Sequence, residues 1–371
     1  MLDTITILIP DGGYVIFDHS RFTPSTANMK NNPAKYASYH NNATAEEKKQ
    51  GIYLPKLTAY KRYGRFELKV EFSAPKLLFD NNLDEVSEAH FEQTAEALKA
   101  KMDKMGVKIF MGFLKAAPVS AFHPSKNITI TNSYTSTFAM RELYKTDIST
   151  RFDIDKKIFR NNGEALQFYT NSHSIVFYDK ITDLTKPSKR AIDKDQTATQ
   201  RTLFDYLDKQ TPRTELLRYE VRLIQKTKMK KILETVGYKK NNPTFEDIFK
   251  ERLCQKILML YWNEFFSDQL SLLDMSNKPL KVLSLVLRKY PYLKLMKAIF
   301  LTGLFLLCKD DEGMRGLRQT VERYKTKSSW TAIKRVLGGF RGLIATQEAH
   351  GFVKDIEKSL NEFRPYRVKN G

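Results

Sequence analysis

Cysteine is nearly missing from this sequence: 371 residues carry two, Cys254 and Cys308, both inside apolar runs. That scarcity excludes a disulfide framework and any cysteine-rich zinc site, and it suits a reducing cytoplasm. No Gly-Lys dipeptide occurs anywhere, so the phosphate-cradling loop Gly-x-x-x-x-Gly-Lys-Ser/Thr is absent, and with it a P-loop helicase within the chain. Long hydrophobic runs are lacking too. The most lipid-like stretch, Ala298–Cys308, is bounded by Lys297 and Lys309 and has about half of the ~20 residues a bilayer-spanning helix requires. It reads as a buried helix, with no role at a membrane. The N-terminus has no basic region leading into an apolar core, so a first β-strand is expected there and a signal peptide is not. Acid is the last shortage. Forty-two Asp and Glu stand against 62 Lys and Arg, a net charge of +20. A surplus of that size favours a polyanionic partner, because each phosphate neutralised releases condensed counterions.

What is present divides near residue 235. The first ~235 residues read as mixed α/β structure, with alternating strand-type segments at Thr4–Ile9, Phe66–Phe72, Val119–His123, Ser174–Lys180 and Leu216–Ile224. In Phe66–Phe72, Leu68, Val70 and Phe72 share one face and Lys69 and Glu71 the other, the period of a half-buried strand. A helix is expected over Asp84–Met105. Residues 20–50 read as a long loop or covering segment, and Thr185–Arg213, with eleven charges, as a surface excursion holding a short helix. After residue 240 the pattern turns helical. Thr244 and Asp247 give an N-cap signature ahead of an amphipathic helix running to Tyr261. Further helices are expected over Lys278–Leu287, Tyr292–Cys308, Gly313–Lys325 and Ser329–Leu337. The expected class is therefore α+β: an N-terminal α/β domain, residues 1–235, and an all-α C-terminal domain, residues 240–371, that binds DNA or oligomerises. No internal repeat is evident in the sequence.

Three segments concentrate polar chemistry on strands. Pro118–Asn127 puts His123 at a strand end. In Asn171–Asp183, Ser174, Val176, Tyr178 and Lys180 project to one face, and His173, Ile175, Phe177 and Asp179 to the other. In Leu216–Ile224, Arg218, Glu220 and Arg222 line one face while Leu217, Tyr219, Val221 and Leu223 line the core. Each has a bland reading alone. A glutamate between two arginines is often a wet-face ion pair, and Tyr-x-Lys is ordinary among 18 tyrosines. The set and its order carry the weight.

That set resembles the phage and plasmid rolling-circle replication initiators of the filamentous-phage type, which nick DNA with a tyrosine. The matching blocks run in the same order through most of residues 55–235. They are Pro55-Lys-Leu-Thr-Ala59 with the Pro-Lys turn and Asn-bearing stretch of Leu68–Asn82, then the block ending in His123, then Tyr178-Asp-Lys180, then Leu217-Arg-Tyr-Glu-Val-Arg222. Ser73–Asn82 and Arg218–Arg222 are the fairly specific ones, Tyr-x-Lys alone is weak, and the helical third matches only loosely. One triplet departs: where the family commonly has Arg-Ile-Asp, this chain has Ala121-Phe-His123, an imidazole in place of the carboxylate and an alanine in place of the arginine. A clean His-hydrophobic-His pair is also absent.

The resemblance implies a nickase with a central antiparallel sheet of the HUH type. Tyr178 would be the nucleophile, leaving a 5′-phosphotyrosyl link and a free 3′-OH, and Lys180 its catalytic partner. Glu220 and His123 are the expected ligands of Mg²⁺ or Mn²⁺, with Asp179, Asp183 and His173 in reserve, and imidazole favours the later metal. Arg218 and Arg222 suit bidentate phosphate contacts. Single-stranded or supercoiled origin DNA, and the helicase, polymerase and single-strand-binding protein of a bacterial host, are the implied partners. Two rivals share the residues: an origin-binding descendant that no longer cleaves, and a plasmid mobilisation relaxase.

Overall fold

The computed structural model describes the chain apart from residues 27, 29–35, 132, 149–158, 161–164, 186–196, 198, 200–201, 204–213, 239, 241, 268–277, 311, 340–350 and 369–371. The alternation at the N-terminus produces β1 (Leu2–Pro10), which buries Ile5, Ile7 and Ile9 on one face. Then come β2 (Tyr14–Ile16), β3 (Thr23–Pro24), β4 (Tyr36–Asn41), β5 (Lys56–Arg62), β6 (Arg65–Ser73) and β7 (Val107–Ile109). The remaining strands are β8 (Val119–Thr129), β9 (Phe159–Arg160), β10 (Ala165–Tyr169), β11 (His173–Asp179) and β12 (Leu216–Leu223). Strands β2 and β7 pair alone. The other ten form one sheet in the order β3-β4-β5-β6-β1-β8-β12-β11-β10-β9. Every neighbouring pair in it is antiparallel.

That order reads the same from both edges. In the first half β1 is followed by a meander, β3 to β6, whose last strand returns beside β1. In the second half β8 is followed by β9 to β12, whose last strand returns beside β8. The two halves meet at β1 and β8, antiparallel with Ile5 opposite Phe122, so an approximate two-fold axis passes between them. The sequence shows no repeat because a strand's pairing depends on its apolar period, which many side chains satisfy, and not on residue identity.

Helices cover one face. Phe91–Lys104 inserts Phe91, Ala95, Leu98 and Met102, Glu251–Trp262 inserts Leu253, Cys254 and Ile257, and Gly351–Glu362 inserts Phe352, Ile356 and Leu360, all into a single core with the sheet. The C-terminal part is mostly helical, as expected, and its helices serve two cores. Pro279–Lys289, Leu295–Leu307, Gly313–Tyr324 and Lys327–Gly339 enclose a separate cluster around Val286, Ala298, Leu301 and Phe305. Asp147 ties the two together: Arg318 bonds its carboxylate and Trp330 donates to it at 3.2 Å.

Several local expectations need correction. Residues 20–50 hold β3, β4 and a short helix, Ala45–Lys49, where a loop was expected. The helix expected from Asp84 starts at Phe91, because Asn81 holds Leu83 N and Asp84 N in a local turn and Glu85 spends its carboxylate on the N–H groups of Asn127 and Tyr366. The Thr244 capping box forms, but its helix stops at Ile248 and a second begins at Glu251. Thr185–Arg213 lies largely outside the described residues. No helix among the described residues is long and apolar enough to cross a membrane.

Candidate functional site

The three polar segments become adjacent strands, β8, β12 and β11, and register brings their polar faces together. Arg218 is level with Asn127 on one side and Tyr178 on the other, and Glu220 with Ser125 and Val176. Thus His123, Glu220, Arg222, Arg218 and Tyr178 share the face opposite the helical core. Lys180 arrives differently from expectation. The strand ends at Asp179 and Lys180 opens the helix Lys180–Thr185, yet its Nζ still lies 3.5 Å from the Tyr178 hydroxyl and over its ring.

Glu220 is the anionic centre. Its Oε1 accepts from Arg222 Nε at 3.0 Å and lies 3.1 Å from His123 Nδ1. Arg222 also reaches its Oε2 at 3.4 Å. Burial alone would push this carboxyl up; Arg222 first, then the His123 hydrogen bond, hold it well below the usual carboxylate range. His123 and Arg222 keep partial access to solvent, with side chains 16 % and 35 % exposed, whereas Glu220 has 1 %.

Arg218 is fully buried and both its terminal nitrogens are used. Nη1 donates to Asn127 Oδ1 at 3.0 Å and reaches the Asn82 carbonyl at 3.4 Å, and Nη2 donates to Ser125 Oγ at 2.9 Å and pairs with Asp3 at 3.3 Å. Its Nε alone has no partner. Burial disfavours its charge, but Asp3, Tyr178 and Glu220 outweigh that and raise its pKa. The expected bidentate phosphate contact is therefore not open to Arg218, since both terminal nitrogens are committed inside the protein. It acts on the site as a fixed internal charge.

Burial and then that charge set the protonation of Tyr178 and Lys180. Burial raises the Tyr178 phenol well above its ordinary range, with Arg218 pulling the other way. Burial, then Arg218, lowers Lys180 to about 7, against the opposing influence of Asp3 and Asp183. An amine with that pKa is substantially neutral at neutral pH and can accept a proton.

The reserve residues fall elsewhere. His173 lies on the helical side, edge-on to Tyr261 and within 2.9 Å of Thr170 Oγ1, and burial lowers its pKa to about 4. Asp179 caps the helix that Lys180 opens, accepting from Thr182 N at 2.9 Å and Thr182 Oγ1 at 2.8 Å. Asp183 acts on Lys180 through its charge.

Sequence reasoning missed Asp3, Ser125, Asn127 and the buried support behind them. Glu85 accepts from Lys126 Nζ and Asn127 N, each at 2.5 Å, and from Tyr366 N at 2.9 Å. Asn127 Nδ2 donates to the Leu83 carbonyl at 2.6 Å. The alternation His123, Ser125, Asn127 was the available signal. Asp3 had none, because a register irregularity between Leu2 and Ile5 brings it to Arg218.

A divalent ion can be tested against these donors. Two ligands bound side by side on an octahedral ion at about 2.1 Å stand about 3 Å apart. His123 Nδ1 and Glu220 Oε1 are 3.1 Å apart, that spacing and also the length of the hydrogen bond between them, so an ion would replace the shared proton. Mg²⁺ commonly takes only one or two protein donors and fills the rest with water and phosphate, so the pair fits. Arg222 is the competitor for the same carboxylate. Among the described residues no group of three or more His, Cys, Asp or Glu side chains gathers to hold a metal. Comparison of the chain with protein-family models, with curated proteins and with solved structures gives no match, so the reading of the site rests on its own geometry.

Proposed function

We propose that this chain is a DNA strand-nicking enzyme of the rolling-circle initiator kind, HUH-like in its sheet-borne site, with Tyr178 as nucleophile. The observation that carries the reading is the pairing of a buried tyrosine with a buried lysine lowered to about 7, on the same sheet face as Glu220 and the partly exposed His123 and Arg222. A phenol raised by burial needs a base at hand, and neutral Lys180 is that base. The 3.5 Å separation is longer than a transfer distance, as catalytic pairs often are before substrate tightens them.

Tyr178 Oη attacks the scissile phosphorus as its proton passes to Lys180 Nζ. The new O–P bond forms as the P–O3′ bond breaks, and the 3′ oxygen leaves with that electron pair and takes a proton from solvent. Arg222, partly exposed, releases one N–H toward a non-bridging oxygen. Mg²⁺ or Mn²⁺ held by Glu220 and His123 would draw charge from the same oxygens. The phosphotyrosyl bond stores the energy of the broken link, so a later strand transfer reseals the circle. Strand separation and synthesis fall to the host's helicase, polymerase and single-strand-binding protein.

The test is conversion of supercoiled DNA from the replicon encoding this chain to open circles. Glu220→Gln keeps shape and removes charge, and is expected to slow nicking about 10²-fold or more; a chelator should do the same to the wild type. Nicking indifferent to both removes Glu220 and the metal from the mechanism. A second reading, origin binding without cleavage, is favoured by one observation: Arg222 engages both Glu220 oxygens. It gives a gel shift and no open circles.

A further inference from the structure

The two-fold axis of the sheet assigns a counterpart to the Tyr178 site. Pro10 lies five residues past Ile5 on β1, as Asn127 lies five past Phe122 on β8, and Ile5 and Phe122 face each other across the axis. Pro10 is level with Glu67, and Glu67 with Tyr60. Asn127 is level with Arg218, and Arg218 with Tyr178. The axis therefore carries Tyr178 onto Tyr60 and Lys180 onto Arg62, a second Tyr-x-basic pair on the same face of the sheet. Five strand spacings of about 4.8 Å and ten residues of about 3.3 Å separate the two, about 40 Å corner to corner.

The counterpart is built differently. Lys180 is a buried amine that loses its proton near 7, whereas Arg62 is an exposed guanidinium, which stays charged and cannot serve as a base. It lies 4.7 Å over the Tyr60 ring and 5.9 Å over that of Tyr36. The hairpin beyond turns at Tyr63 and Gly64, with φ +48° and +79°, which points the Tyr63 ring into solvent at 85 % exposure. On the hairpin's other face Phe66 is 48 % exposed, with Lys61 over its ring. Tyr60, Arg62, Tyr63, Arg65 and Phe66 line a concavity of about 590 Å³. Lys56, Lys61, Arg62, Arg65 and Lys69 stand on these two strands against Glu67 and Glu71.

We propose that this hairpin is a second, non-cleaving site that binds single-stranded nucleic acid, stacking bases on Tyr63 and holding phosphates with Arg62 and Arg65. Bases offer flat faces to aromatic rings whatever their sequence, and the interleaved cations follow the backbone. A duplex hides those faces and an anionic bilayer lacks them, so single strands are the occupant that uses both halves of the patch. The site extends the nicking proposal without depending on it, since it involves no residue of the Tyr178 site.

The experiment is fluorescence anisotropy of a labelled single-stranded oligonucleotide of mixed sequence with the full chain. Tyr63→Ala and Arg65→Ala, at the exposed hairpin, are each expected to weaken binding by about fivefold or more, and their double variant further. Tyr63→Phe keeps the ring and should keep the affinity. Tyr178→Phe should leave this binding unchanged while removing the covalent product, which separates failure of this site from failure of the nicking proposal. Photo-crosslinking of a bromodeoxyuridine oligonucleotide should place the adduct on the hairpin. Unchanged affinity in Tyr63→Ala with Arg65→Ala, or a loss seen equally for duplex DNA or phosphatidylserine vesicles, overturns the proposal.

Discussion

At the scale of single residues the site turns on where protons sit. Lys180 is lowered to about 7 mainly by burial, so the neutral amine that the mechanism needs accumulates as pH rises through about 7. The rate of covalent-adduct formation is expected to rise over that interval and then level. Lys180→Ala should lower it by roughly 10²–10⁴-fold, and Lys180→Arg should fail to rescue, since a guanidinium stays protonated. A pH profile unchanged in either variant would remove Lys180 as the base. The same residue has a stability signature. Its folded pKa lies below its ordinary value of 10.5, so between about 7 and 10.5 the unfolded chain binds more protons. This group therefore adds stability as pH rises through that window and is most costly below it.

At the scale of elements, what fixes the site is the seating of β8. Its Lys126 and Asn127 lean on Glu85, which also takes the Tyr366 N–H, so the segment before the helix Phe91–Lys104 and the chain's last described residues meet under the strand. Burial works against the Glu85 charge, but the N-terminal amine and Lys126 hold it down to about 2. Its contribution is present above the ordinary carboxylate pKa of 4.5 and is lost as pH falls toward about 2. Glu85→Gln leaves Lys126 buried without its counter-charge and is expected to cost about 3–5 kcal/mol in denaturant unfolding; a loss under 1 kcal/mol would show the cluster to be incidental. Much of this architecture was legible beforehand. β1, β6, β8, β11 and β12 announce themselves because each alternates over at least five residues, and the same alternation exposed the polar faces of Tyr178, Glu220 and Arg222. β2 and β7 are three residues long and β3 and β9 two, too short for a period to register. Glu85 and Asp3 were illegible for another reason: their partners lie far along the chain, and only strand register brings them near.

At the scale of the whole molecule, charge and symmetry act together. With +20 net charge, DNA affinity should fall steeply with salt, and a chain that neutralises roughly six phosphates gives a log–log slope near −5. A slope near zero would mean that the charge is spread away from the DNA path. The central claim is that Tyr178 forms the bond to DNA. It is tested most directly by incubating the full chain with origin single strand labelled at its 3′ end and resolving the products on a denaturing gel. A labelled band migrating with the protein is expected from the wild type and none from Tyr178→Phe, whose DNA affinity and unfolding curve should match. Full-yield adduct from Tyr178→Phe would contradict the account and assign the nucleophile to another residue.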